Sequence, residues 1–168
     1  MVRLMTFSPM EANPADLRFA VQTQQYIRVR DGDVRMRLAY QASDVASSLV
    51  EEYSVVFQDI GQPTQGLPVA RNDDSRIIVG QLAPEAAASM FEAQQRIRDL
   101  RASGAVGKGS LAITASGCTT EAVPDKPASV TVWLQTNPQE DFFIVSRNRD
   151  LRKTIAKANQ NLDDIERC

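Results

Sequence analysis

The sequence predicts a mainly β protein of the α+β class. The architecture expected is an antiparallel β-sandwich of about six to eight strands, with one long helix over 84–103 between strands and a short helical C-terminal tail. Three observations carry this reading. Apolar and polar residues alternate at period two through most of the chain, and only one long segment switches to spacings of three and four. Strands and helices do not interleave as a parallel sheet would require. The 168 residues are enough for one domain with its own core.

Pro9 and Pro14 interrupt an aperiodic opening, so residues 1–15 read as an N-terminal arm and 16–168 as a single globular domain. Leu17, Phe19 and Val21 then alternate with Arg18 and Ala20, as in a half-buried strand. Between Tyr26 and Leu38, Asp31-Gly32 separates two alternating runs, the chemistry of a type I′ hairpin turn whose two central residues both need φ > 0. Such a hairpin pairs Val29 with Val34 and Ile27 with Met36, and sends the apolar side chains to one face. Its other face gathers Arg28, Arg30, Arg35 and Arg37 with Asp33 and Tyr26.

Gln41 to Ser48 is small and polar, a loop. From Leu49 to Ile60, Glu51, Tyr53, Val55 and Phe57 alternate against Glu52, Ser54, Val56 and Gln58, a long strand with its aromatic set inward. Gly61 to Ser75 is rich in turn residues, and Ile77-Ile78-Val79 begins another strand. Pro84 at a first helical position and Gly104 just past the last frame the helix, with Ala86, Met90, Ala93, Ile97 and Leu100 as its apolar stripe. Glu92 and Arg96 are spaced to pair, and Arg96, Arg98 and Arg101 suit the negative end of the helix dipole. Leu111, Ile113 and Ala115 alternate as a strand, as do Val130, Val132 and Leu134, and Phe142 to Val145 follow the Asn137-Pro138 turn. Leu151, Ile155, Ala158, Leu162 and Ile165 fall at near-helical spacing in the tail.

Composition excludes several functions. There is no histidine, which removes Ser-His-Asp and Cys-His catalysis, His-ligated zinc and imidazole switching. A net charge of −2 gives no overall basic field for a nucleic acid, and aromatics at 6% offer few stacking platforms. No apolar run is long enough to span a membrane as a helix.

The four-arginine face is the first candidate site. Like charges opposite one another destabilise a hairpin unless acids or a ligand neutralise them, and an arginine fork suits carboxylate or phosphate. Glu51 or Glu52 on a neighbouring strand would be the structural counterweight. Trp133 points away from Val130, Val132 and Leu134, so it lies beneath the helix or loops or else marks a contact surface. Ser103 to Ser110 resembles a phosphate loop only superficially, because Gly109 separates Lys108 from Ser110 and the segment leads from helix to strand. Asn72 to Ser75 and Asp31 to Asp33 cluster oxygens without calcium-loop spacing, and turn chemistry accounts for both. Neither a metal nor a cofactor is expected. Adjacent acids on a strand, such as Glu51 and Glu52, face opposite ways and make a poor acid/base dyad.

Cys118 and Cys168 lack metal-site or redox-motif spacing, which leaves a disulfide or two free thiols. A disulfide would place the protein in an oxidising compartment, the periplasm or cell envelope. The opening Met1 to Met5 lacks the apolar segment of a secretory signal, which keeps a cytoplasmic location as the alternative. The expected function is a non-catalytic envelope binding or assembly module whose partner is a protein or an anionic envelope component. The alternatives are a carboxylate-dependent hydrolase acting on a saccharide-like substrate and a cytoplasmic structural subunit.

Overall fold

A computed structural model describes residues 10–57, 66, 74–121, 128–151 and 165–168. Among these, the strands are β1 Arg18–Gln24, β2 Ile27–Arg28, β3 Val34–Ala42, β4 Leu49–Val56, β5 Ser75–Leu82, β6 Gly107–Ala115, β7 Cys118–Thr119, β8 Ser129–Gln135 and β9 Phe143–Asp150. Helix α1 spans Pro84–Ala102. No helix among the described residues is long and apolar enough to cross a membrane.

Seven strands form one antiparallel sheet in the order β6-β3-β4-β5-β1-β8-β9, and β2 pairs with β7 in a second, small sheet. The large sheet has two halves, β6-β3-β4 and β5-β1-β8-β9. Among the described residues they join only where Val55 and Val56 pair with Leu82 and Gln81. Phe19, Val21, Val132 and Leu134 from one half and Val34, Met36, Leu38 and Val55 from the other are fully buried in one continuous core. Period-two alternation explains this, because each half has one apolar face to bury. The mainly β, α+β architecture expected from the sequence is the one observed.

Helix α1 buries Met90, Ala93 and Ile97, with Ala86 and Leu100 half-buried beside them, so the stripe read from the sequence faces the core. It ends in a Schellman motif: the Gly104 N–H donates to the Arg101 carbonyl at 3.1 Å and the Ala105 N–H to the Leu100 carbonyl at 3.0 Å, with Gly104 at φ 96°. Arg96 reaches Glu51 of β4 at 3.0 Å rather than the expected Glu92, tying helix to sheet. Residues 1–9 of the expected arm lie outside the described residues, while the following ones pack on α1. Met10 is buried, the Gln94 side-chain amide donates to the Ala12 carbonyl at 2.9 Å, and Arg98 donates to the Met10 carbonyl at 2.8 Å.

The type I′ hairpin does not form. The Asp33 N–H donates to the Arg30 carbonyl at 3.0 Å, closing a turn in which Gly32 has φ 85° but Asp31 is not left-handed. One positive φ makes a type II-like turn, whose twist splays its flanking segments instead of pairing them. The turn is pinned to the end of β4, because Asp31 Oδ1 accepts from the Phe57 N–H at 2.7 Å and the Gly32 N–H donates to the Val55 carbonyl at 3.0 Å. β3 takes β4 and β6 as neighbours, and β2 departs to β7. Ile27, Val29, Val34 and Met36 are nonetheless all buried.

Cys118 and Cys168 form a disulfide, with sulfurs 2.06 Å apart. Residues 152–164 of the expected helical tail lie outside the described residues. The last residues run beside β7, where the Thr119 N–H donates to the Glu166 carbonyl at 2.9 Å and the Cys168 N–H to the Thr119 carbonyl at 3.0 Å.

Candidate functional site

The four arginines expected on one face sit on segments that take different partners, β2 pairing with β7 and β3 with β4 and β6. Arg28 is exposed on β2 opposite Cys118, and Tyr26 is half-buried against the core. Arg30 is bound on both sides, to Asp33 and to Glu166, each at 3.1 Å. Its pKa is raised above the ordinary value by hydrogen bonds, first to Asp33 and then to Glu166. Arg35 and Arg37 lie on the outer face of β3. Arg35 donates to the Gly32 carbonyl at 3.0 Å and pairs with Glu52 at 3.1 Å, and Glu52 is also the residue opposite Arg37 in the β3–β4 register. The acid interleaving expected as the structural counterweight is therefore present at Glu52.

A groove of about 250 Å³ opens on the outer face of the other half-sheet, crossing β5, β1, β8 and β9. Its position follows from strand register. Ala20 of β1 lies between Val79 of β5 and Trp133 of β8, and Trp133 is opposite Ile144 of β9. This apolar row crosses four strands on the face away from the core, and within it Trp133 is only 8% exposed.

Next to that row the lining turns polar, with Gln22 and Gln24 of β1, Ser75 of β5, Ser129 and Thr131 of β8, and Arg147 and Asn148 of β9. Several of these side chains are fixed by one another. The Gln22 amide donates to Ser75 Oγ at 2.9 Å, and the Gln24 amide donates to Ser129 Oγ at 2.9 Å while its carbonyl oxygen accepts from the Ser129 N–H at 3.1 Å. Such locking makes the lining preorganised rather than adaptable.

The β8–β9 register shifts between Val130 and Val132 and again between Val132 and Trp133, the mark of a bulge. At this irregularity Asn148 takes φ 44°, the left-handed region that asparagine tolerates better than most residues. Thr131 Oγ1 holds it there, donating to Asn148 Oδ1 at 3.2 Å and accepting from the Asn148 N–H at 3.0 Å. The irregularity aims Arg147 at the groove, where it makes no ion pair with a described residue.

No carboxylate belongs to the described lining. Glu51 and Glu52, the strand acids expected to be a poor dyad, are engaged separately by Arg96 and Arg35. Asp31 and Asp33 spend their carboxylates on turn contacts, and Asn72 and Asp73 lie outside the described residues. No cluster of metal-ligating side chains occurs among the described residues. Gly107 to Ser110, in the loop resembling a phosphate cradle, belong to β6.

A second, wider depression of about 560 Å³ lies at the start of α1, between Arg18, Leu82, Ala87 and the half-exposed Phe91. Two of its polar groups are engaged locally: Arg18 donates to the Ala15 and Leu17 carbonyls, and Asn13 caps the short 3-10 turn Pro14–Asp16.

Sequence reasoning singled out Trp133 but missed its companions, which come from four strands. The available signal was the polar outward register of Gln22 and Gln24, set on a strand whose inward residues are apolar. Compared with known proteins, the chain matches no family model, no curated protein and no solved structure.

Proposed function

We propose that this protein is a non-catalytic binding module that holds a small, hydroxyl-rich ligand in the groove beside Trp133, in an oxidising setting such as the cell envelope. The observation that carries the reading is the groove lining: one indole among neutral amide and hydroxyl side chains, with Arg147 as the single charged group among the described lining residues. Ligand sites combine an apolar surface with a few converging polar groups. Glycoside hydrolysis needs two carboxylates flanking the scissile bond, and the described lining supplies neither, which favours binding without turnover. The Cys118–Cys168 disulfide supports the oxidising setting.

Trp133 is the one tryptophan in the sequence, so its emission reports on the groove directly. Titration with a panel of neutral and charged mono- and disaccharides is expected to give saturable emission changes, groove-confined NMR shifts and no product. Product formation would establish the hydrolase reading instead. Failure of the whole panel to perturb Trp133 would overturn the groove reading.

A further inference from the structure

Resting on the groove reading, we infer that the ligand carries one carboxylate on a sugar-like ring, and that Arg147 selects it against the neutral sugar. Three features lead to this class. The first is charge. Arg30, Arg35 and Arg96 are each matched by an acid, whereas Arg147 lines a groove that offers it no carboxylate among the described residues. A guanidinium left over in a concave site is matched by an anion, which its planar fork can grip through two parallel hydrogen bonds.

The second is size. A volume of about 250 Å³ falls just below the range of roughly 300–1,000 Å³ typical of pockets for drug-sized ligands, so one ring fits rather than an extended polymer. The third is the remainder of the lining. Gln22 and Asn148 present amide groups suited to a ring's hydroxyls, oriented by their contacts with Ser75 and Thr131, and Trp133 supplies the apolar wall.

The assignment also gives the strained backbone a purpose. Asn148, held at φ 44° by Thr131, sits next to Arg147 on an interrupted strand. Regular pairing there would alternate side chains between faces and remove either Arg147 or its neighbour from the groove.

The test uses D-glucuronate and D-galacturonate against D-glucose and D-galactose, read by Trp133 emission and by NMR shifts along β1, β8 and β9. The acids should bind roughly tenfold or more tightly than their neutral counterparts, as expected for a charge-assisted fork. Arg147→Gln should bring the acids to the neutral level while leaving the melting temperature unchanged, because the side chain is exposed. Arg147→Lys should retain only part of the preference, and added salt should shrink it. Equal affinity for acid and neutral sugar would overturn the inference and leave the groove reading intact. Tighter binding of the acids that survives Arg147→Gln, or shifts away from the groove, would also overturn it. Absence of binding by all four sugars would overturn the inference, and the wider panel then decides the groove reading separately.

Discussion

Arg30 and Glu166 meet at 3.1 Å across 136 positions of sequence, and the same guanidinium holds Asp33 on its other side. The tight turn at Gly32 and the C-terminal end are thereby drawn to one spot, beside the disulfide.

The ion pair is the lesser of these two ties. Both side chains are largely exposed, and surface pairs of this kind contribute little. The Cys118–Cys168 bridge closes a 50-residue separation, for which the chain-entropy model gives about 4 kcal/mol. Reduction, or Cys118→Ala with Cys168→Ala, should lower the melting temperature by roughly 10 °C. Arg30→Gln in the oxidised protein should move it very little. Scanning calorimetry of the three forms checks this, and an equal drop for Arg30→Gln would assign the tie to the ion pair.

Two glycines should fail for different reasons. A Cβ on Gly80 would stand 2.7 Å from Val55 Cγ1 and 2.8 Å from the Phe57 ring, at the seam where β4 meets β5. Overpacking there should cost about 1–3 kcal/mol. Gly104 has open space around it but φ 96°, so Gly104→Ala should cost about 1 kcal/mol or more through the backbone alone. Urea denaturation separates them: Gly104→Asn should recover part of the loss, because asparagine tolerates the left-handed region, whereas Gly80→Asn should be worse than Gly80→Ala.

Stability should fall in strong base through Tyr53. Burial, and then the neighbouring Glu51 carboxylate, push its pKa from the ordinary 10.0 up to about 12. Between these values the unfolded chain has released a proton that the folded one retains, so raising the pH favours unfolding. Tyr53's contribution is complete below pH 10 and lost as the pH passes 12. Denaturation midpoints across this window should fall more steeply for the wild type than for Tyr53→Phe, and identical slopes would sink the assignment.

Gln94 should matter more than a helix amide usually does. It is 1% exposed, and its side chain donates to the Ala12 carbonyl at 2.9 Å. Gln94→Leu removes that donor, at a cost of about 1–3 kcal/mol if the carbonyl stays buried. Limited proteolysis followed by mass spectrometry should show new cleavage around residues 10–16, and an unchanged pattern would mean that Arg98 suffices to hold the segment.

What could be read from the sequence was which side chains are buried, far more than which strands touch. The period-two pattern puts Ile27, Val29, Val34 and Met36 on an inward face, and all four are buried. Alternation, however, reports the face and not the neighbour. Their pairing across Asp31-Gly32 rested on the turn alone, and the turn's second left-handed residue is absent. Arg28, Arg30, Arg35 and Arg37 are all exposed, but on segments that do not pair with each other. Helix α1 was legible at both ends because Pro84 and Gly104 act locally, whereas the Arg96–Glu51 contact depends on where β4 lies and replaced the local Glu92 partner. The groove was the least legible feature. Gln22, Ser75, Thr131 and Asn148 become neighbours only through long-range register.

The strand order also sets a timetable. β1 precedes both of its neighbours in the chain, since it is flanked by β5 and β8, and Arg18 waits for both Gln81 and Gln135. At about 5–20 residues per second, a nascent chain carries β1 with one side bare for on the order of ten seconds. Until Ser129–Gln135 has emerged from the ribosome, the centre of that half-sheet is an edge open to pairing with other chains. A prematurely terminated chain would keep that edge permanently, and would be far more prone to aggregate than its length alone implies.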